Sequence, residues 1–270
     1  MPIRDFAVEG VLFDSDGTLV DSTPAVLAVM ASWCASQGVD PRAFSAASHG
    51  RRAQDLLREF QEVPKRGSEM TERELDDEVR RIERAVVETA ERAQAQGTGD
   101  GVRALPGVLE LLHRFDEVGF SNWAIVTSAT STHARAALRL AGIDKYPFLV
   151  TGETVTHGKP DPEPYLADLQ ALAQVSKSSI KLDPRTILVV EDAPSGFSSG
   201  RSAGTLVLGV CTGPVGESEV VEAANRTGGV EVVTDLTRLE VVGFDGVKLK
   251  LRIDCLDLSN DLGLHNNHCN

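Results

Sequence analysis

Val8-Glu9-Gly10-Val11-Leu12-Phe13-Asp14-Ser15-Asp16-Gly17-Thr18-Leu19 is the stretch on which the reading of this chain turns. An apolar run, Val8–Phe13, stops abruptly at two aspartates and a glycine. The same design recurs downstream. Trp123–Val126 runs into Thr127-Ser128, Phe148–Val150 into Thr151-Gly152, and Thr186–Val190 into Glu191-Asp192. Leu206–Val210 runs into Cys211-Thr212, and Val230–Val233 into Thr234-Asp235. These runs are short, rich in Val, Ile and Leu, and lack clean alternation, which suits strands buried on both faces of a parallel sheet.

Helical patterns separate the runs. Pro106 opens one that Gly119 closes, with Val108, Leu111, Leu112 and Phe115 on one face. Ser131–Leu140 ends before Gly142, Pro162 opens another, and Pro194 opens a short one that ends at Gly204. Strand-helix alternation predicts an α/β fold, a doubly wound parallel sheet of Rossmann-like form. Between Ser22 and Arg103 the alternation stops and the pattern is helical. Ser22-Thr23-Pro24 predicts a capped helix start, and Trp33 and Met30 read as core. More than half of residues 65–93 are charged, with Asp76–Arg80, Asp77–Arg81 and Glu88–Arg92 as acid-before-base pairs. Leu75, Val79, Ile82 and Val86 form an apolar stripe beneath them, and Gln96–Gly101 reads as a hinge. The expected organisation is an α/β core over 1–21 and 104–255, a helical cap over 22–103 inserted after the first strand, and a polar tail over 256–270.

The chain has 270 residues, 41% hydrophobic and 25% charged, so it can bury a sizeable core. Acids outnumber bases 40 to 27, a net charge of −13, which argues against nonspecific nucleic-acid binding. The apolar run Ala25–Ala31 is far short of the ~20 residues a membrane span needs, and charges at Arg4, Asp5 and Glu9 do not suit a secretory leader. Cys34, Cys211, Cys255 and Cys269 form no CxxC pair, so reduced thiols and a cytoplasmic location are expected. A monomer is expected, with a dimer left open.

In an open parallel sheet, ligands bind beyond the carboxyl ends of the strands. That edge would gather Asp14, Asp16, Thr127, Ser128, Glu191 and Asp192, with Lys159 from the loop Gly158-Lys159-Pro160-Asp161-Pro162. Carboxylates crowded together call for a hard cation such as Mg²⁺. The hydroxyls, the lysine and helix-start N–H groups suit a phosphate.

Phe13-Asp14-Ser15-Asp16-Gly17-Thr18-Leu19 resembles the first motif of the haloacid dehalogenase-like (HAD) hydrolases. Thr127-Ser128, Lys159 and Glu191-Asp192-Ala193-Pro194-Ser195-Gly196 resemble the second, third and fourth, in order. The second aspartate matches the phosphatase branch. His49-Gly50-Arg51-Arg52 and the closing Val242–Ile253 stretch are similar to the fungal glycerol-3-phosphatase and 2-deoxyglucose-6-phosphatase group. The resemblance spans roughly residues 8–255 and is weakest across 60–105.

It implies a Mg²⁺-dependent phosphatase acting on a small phosphorylated metabolite, a glycerol or (deoxy)hexose phosphate, through an aspartyl-phosphate. Asp14 would be the nucleophile and Asp16 the general acid and base, its pKa raised by neighbouring carboxylates. Thr127 and Lys159 complete the catalytic set; Asp14, Asp16, Glu191 and Asp192 would hold the metal. Ser128, His49, Arg51 and Arg52 would touch substrate, the last three from a closing lid. His113, His133 and His157 show no metal-ligand spacing. Alternatives are a phosphosugar mutase, a phosphatase of a larger apolar ester, and an inactive phosphometabolite-binding protein. The mutase reading needs a histidine about ten residues past Asp16, where Pro24–Ala28 has none.

Overall fold

A computed structural model describes residues 2–48, 50–60, 70–99, 101–175 and 182–258. The chain opens with β1 (Ile3–Val8), breaks at Glu9, and continues as β2 (Gly10–Phe13) and β3 (Val20–Asp21). The single first run of the sequence reading is thus two strands, because β1 leaves to join a different sheet. Four helices follow: α1 (Thr23–Gln37), α2 (Pro41–Ser48), α3 (Ala53–Phe60) and α4 (Glu72–Gln96). Then come β4 (Arg103–Ala104), α5 (Val108–Val118), β5 (Trp123–Val126), α6 (Ser131–Leu140), β6 (Leu149–Val150) and α7 (Glu163–Val175). The chain ends with β7 (Ile187–Glu191), α8 (Pro194–Ser202), β8 (Leu206–Val210), α9 (Glu217–Thr227), β9 (Val230–Val233), β10 (Leu239–Phe244) and β11 (Leu249–Asp254).

Six strands form a parallel sheet in the order β6-β5-β2-β7-β8-β9. They are the six apolar runs of the sequence, and their continuity has a direct cause. Val11, Phe13, Ile125, Leu188 and Val190 enter one apolar cluster, while Leu12, Ala124, Val126, Ile187 and Val189 enter another on the opposite face. With both faces covered, the strands are apolar at nearly every position, Glu191 at the end of β7 and Glu231 in the edge strand β9 being the acidic exceptions. β2 lies between β5 and β7, so the carboxyl ends that carry Asp14, Thr127 and Glu191 lie side by side.

A separate antiparallel sheet, β1-β11-β10, pairs Ile3 with Asp254 and Val8 with Leu249. Leu249, Leu251 and Ile253 point inward and Lys250 and Arg252 outward. The helical insert has its own core, in which Trp33, Phe44, Leu57, Leu75, Val79 and Ile82 are buried. α4 starts at the capping box of Thr71 and Glu74 and runs on through Gln96 to a left-handed Gly97, so the glycine-rich stretch begins one residue later than expected. Arg81 bonds to Glu78, one turn before it, in place of the expected Asp77. The insert leaves and re-enters through a two-stranded ribbon in which Val20 faces Ala104 and Asp21 faces Arg103.

Candidate active site

β2 delivers Asp14 to the sheet edge, where its N–H donates to Val190 O at 2.9 Å. The chain then folds back on itself: the N–H groups of Leu19 and Val20 both donate to Ser15 O, at 2.8 and 2.9 Å. Gly17 makes this turn at φ +93°, and a Cβ there would lie 2.0 Å from an Asp192 carboxylate oxygen. Glycine is required on both counts, positive φ and close approach.

Lys159 ties three strand ends together. Its Nζ lies 2.6 Å from Asp14 Oδ1 and 2.6 Å from Glu191 Oε1, and donates to Val126 O at 3.1 Å. Tyr165 OH donates to the same Glu191 Oε1 at 2.7 Å. Glu191 Oε2 accepts from the N–H groups of Asp192 and Ala193. Both Glu191 oxygens are therefore engaged within the protein. Burial would push the Lys159 ammonium down, but Asp14 and Glu191 outweigh it and hold it above its ordinary value. Burial, with Glu191 and Asp192 adding to it against the pull of Lys159, raises the Asp14 carboxyl well above the usual carboxylate range. The same burial and the same acids raise the Tyr165 phenol.

Carboxylate oxygens of Asp14, Glu191 and Asp192 lie within 4.8 Å of one another, all buried. Lys159 pairs with two of the three carboxylates, so acids outnumber the ammonium in this buried cluster. An all-oxygen donor set with excess negative charge fits a hard divalent cation. Asp14, Glu191 and Asp192 could hold such an ion, although both Glu191 oxygens already have partners within the protein.

A second network surrounds Asp16, and the sequence reading missed it. Ser22 Oγ donates to Asp16 Oδ1 at 2.5 Å, and His133 Nε2 lies 3.7 Å from the same oxygen. Ser22 therefore does not cap α1 with its side chain, as its position before Thr23-Pro24 suggests. Glu83, from α4, accepts from the N–H of Thr130 at 3.0 Å and from its hydroxyl. Burial opposes ionisation of Asp16, yet contact with His133 and Ser22 prevails and holds it below its ordinary value. The expectation of a raised Asp16 pKa is thus corrected: its nearest charged partner is an imidazole, not another carboxylate. His133, in turn, is raised, because Asp16 and Glu83 outweigh its burial.

The remaining sequence candidates divide. Thr127 lies beside Asp14, its Oγ1 accepting from the N–H of Ala129. Ser128 Oγ donates to Gly50 O at 2.9 Å, joining core and insert. Gly50, at φ +69°, packs so tightly on the Asp192 loop that a Cβ would come within 2.6 Å of Ala193 Cβ. Arg51 borders the cavity above the site but holds Glu59 at 2.8 Å. Arg52 is not brought to that cavity. Its guanidinium grips Asp55 through two bonds and donates to Val155 O at 3.1 Å, clamping α3 to the loop that leads to Lys159. His49 lies outside the described residues. The cavity, about 230 Å³, is bordered by Asp14, Asp16, Thr127 and His133 from the core and by α1 to α4 from the insert. Met30, read from sequence as core, lines it.

The family model described as haloacid dehalogenase-like hydrolase matches residues 8–204, which include all four motif segments. This chain belongs to the haloacid dehalogenase-like hydrolases. Among curated relatives of this hydrolase, hexitol phosphatase A of Escherichia coli is 38% identical over 202 residues, 75% of this chain and 82% of that one. The 2-deoxyglucose-6-phosphate phosphatase 1 of Saccharomyces cerevisiae is 33% identical over 249 residues, 89% of this chain and 93% of that one. A β-phosphoglucomutase from Clostridium difficile shares the hydrolase's fold at a TM-score of 0.66, with 22% identity, 86% coverage of this chain and 93% of that one. No helix among the described residues is long and apolar enough to cross a membrane.

Proposed function

We propose that this hydrolase is a Mg²⁺-dependent phosphatase of small phosphate monoesters, working through an aspartyl-phosphate on Asp14. The observation that carries the reading is the Lys159 bridge, which fixes Asp14 and Glu191 at 2.6 Å each beside Thr127. The curated relatives, whose names specify hexitol and 2-deoxyglucose-6-phosphate phosphatases, support the substrate class.

Lys159 orients Asp14 and adds positive charge where a phosphoryl oxygen would sit. Asp14 attacks phosphorus, and the P–O bond to the alcohol breaks as the Asp14–phosphorus bond forms. Asp16 gives its proton to the departing alkoxide and then takes one from the water that attacks the aspartyl-phosphate, returning Asp14 and releasing phosphate. His133 and Ser22 keep Asp16 ionised at rest, which suits the second half-reaction. A dianionic phosphate arriving beside Asp16 raises its pKa and so favours the protonated form needed for the first. Thr127 holds a phosphoryl oxygen, and Ser128, whose hydroxyl is given to Gly50, assists through its backbone N–H. Bound at Asp14, Asp192 and the Asp16 carbonyl, with Glu191 acting indirectly, Mg²⁺ would shield the nucleophile from phosphate repulsion and take up equatorial charge. The insert, over 22–103, acts as a lid that excludes water. Free Cys34, Cys211 and Cys255 suit a reducing, cytoplasmic setting.

Phosphate release from a panel of monoesters, with and without Mg²⁺, tests the reading. Turnover that needs the metal and falls below about 1% in Asp14→Asn is expected. Turnover that survives the substitution refutes the nucleophilic role. Isomerisation of glucose 1-phosphate without phosphate release would favour the mutase alternative.

A further inference from the structure

We propose that the alcohol half of the substrate presents an apolar skeleton to this enzyme, an inference that rests on the phosphatase reading and narrows it. Thr23, Val26, Leu27 and Met30 follow one another at helical spacing on α1, and all four border the cavity that opens on Asp14. Leu27 is 51% exposed, a large apolar side chain on a cavity wall that no element among the described residues fully covers. Phe44, from α2, and Ile82, from α4, extend the same apolar lining.

The polar side chains along this wall are largely turned to the protein. Arg51 is held by Glu59, Glu83 by Thr130, Ser22 by Asp16 and Ser128 by the Gly50 carbonyl. A polyol enclosed here would give up bonds to water and meet few donors or acceptors in return, whereas an alkyl or deoxygenated skeleton meets aliphatic carbon. At about 230 Å³ the cavity is smaller than the ~300–1,000 Å³ of sites for drug-sized ligands, so the skeleton is short.

The test compares kcat/KM for 3-methylbutyl phosphate and glycerol 1-phosphate in the full chain with Mg²⁺, with acetyl phosphate as the control for phosphoryl transfer itself. A preference of at least about tenfold for the alkyl ester is expected, the scale of a methylene or two in an apolar pocket. Leu27→Asn and, separately, Met30→Gln lower the alkyl-to-glycerol ratio about tenfold, with folding checked by circular dichroism. Preference for glycerol 1-phosphate, or a ratio unmoved by both substitutions, overturns this inference while leaving a phosphatase. No enzyme-dependent phosphate from either ester or from acetyl phosphate removes the phosphatase reading and this inference with it.

Discussion

Replacing Lys159 by methionine keeps the length of the side chain and removes the charge that faces Asp14 and Glu191. In the wild type Lys159 is 3% exposed and its Nζ lies 2.6 Å from each of these two carboxylates. Without it, three buried carboxylates share one small volume. Breaking a buried ion pair from one side costs about 3–5 kcal/mol, because the surviving charge is left uncompensated. For a chain of this size, with a shift of about 2–4 °C per kcal/mol, the melting temperature falls by about 6–20 °C when a chelator is present. The direction with pH follows from Asp14. Its folded pKa is already raised, and losing Lys159 raises it further. The folded variant therefore binds more protons than the unfolded chain at neutral pH. Its stability is highest below about pH 4, the ordinary carboxylate value, and declines as pH rises through the folded value. The gap to wild type thus widens from acid to neutral pH. A divalent cation binding only the folded state recovers part of it, by RT ln(1 + [L]/Kd). Thermal melts of both proteins from pH 4 to 8, with chelator and with Mg²⁺, measure each part. A variant within about 0.5 kcal/mol of wild type in chelator, or a gap that does not change with pH, refutes the reasoning, since surface substitutions give effects of that size.

Gly50→Ala combines a positive φ with a steric clash against Ala193, so it should depress kcat/KM at least about tenfold through incomplete closure while lowering stability by only about 1–3 kcal/mol, as strain at one residue does; a variant with unchanged kinetics would show that Gly50 does not need to approach Ala193. His133→Ala releases Asp16 from its imidazole neighbour, so kcat should fall more on alkyl phosphates, whose leaving groups need a proton, than on p-nitrophenyl phosphate; equal losses on both would argue for a purely structural histidine. Asp168, buried in α7, has its carboxyl pushed up to about 8 by desolvation, so its contribution to stability is present below about pH 4 and lost as pH rises through about 8. Asp168→Asn should therefore stabilise the protein at pH 8, with the gain vanishing toward pH 4; melts that show a pH-independent difference would contradict this.

The sheet was legible because burial on both faces writes a strand as an unbroken apolar run, and each run ends where a polar site begins. Asp14, Thr127 and Asp192 were legible for the same reason, as residues at or next to those breaks, whereas Lys159, nine residues past β6, was legible only from its loop and from the resemblance of the motifs. The antiparallel sheet left a fainter trace. Leu249-Lys250-Leu251-Arg252-Ile253 alternates as a half-exposed strand does, but the run is short and lies beyond the repeating units that drew the reading. The network around Asp16 could not be read along the chain. Its members come from the turn after β2, from the start of α1, from α4 and from α6, and only folding brings Asp16, Ser22, His133 and Glu83 together. Arg52 shows the opposite failure. The resemblance carried by His49-Gly50-Arg51-Arg52 implied a substrate contact, yet the Arg52 guanidinium bonds to Asp55 and Val155 O and does not line the cavity.

The paired strands β3 and β4 bring the two ends of the helical insert to facing backbone positions. A segment whose ends already coincide can be lengthened, trimmed or exchanged at small loop-closure cost, because the scaffold beneath it sees the same two neighbouring anchors whatever lies between. Selectivity can therefore be inherited as a cassette. A chimera that carries a relative's helices between Asp21 and Arg103 should acquire that relative's taste in alcohols while keeping its own bond-breaking apparatus.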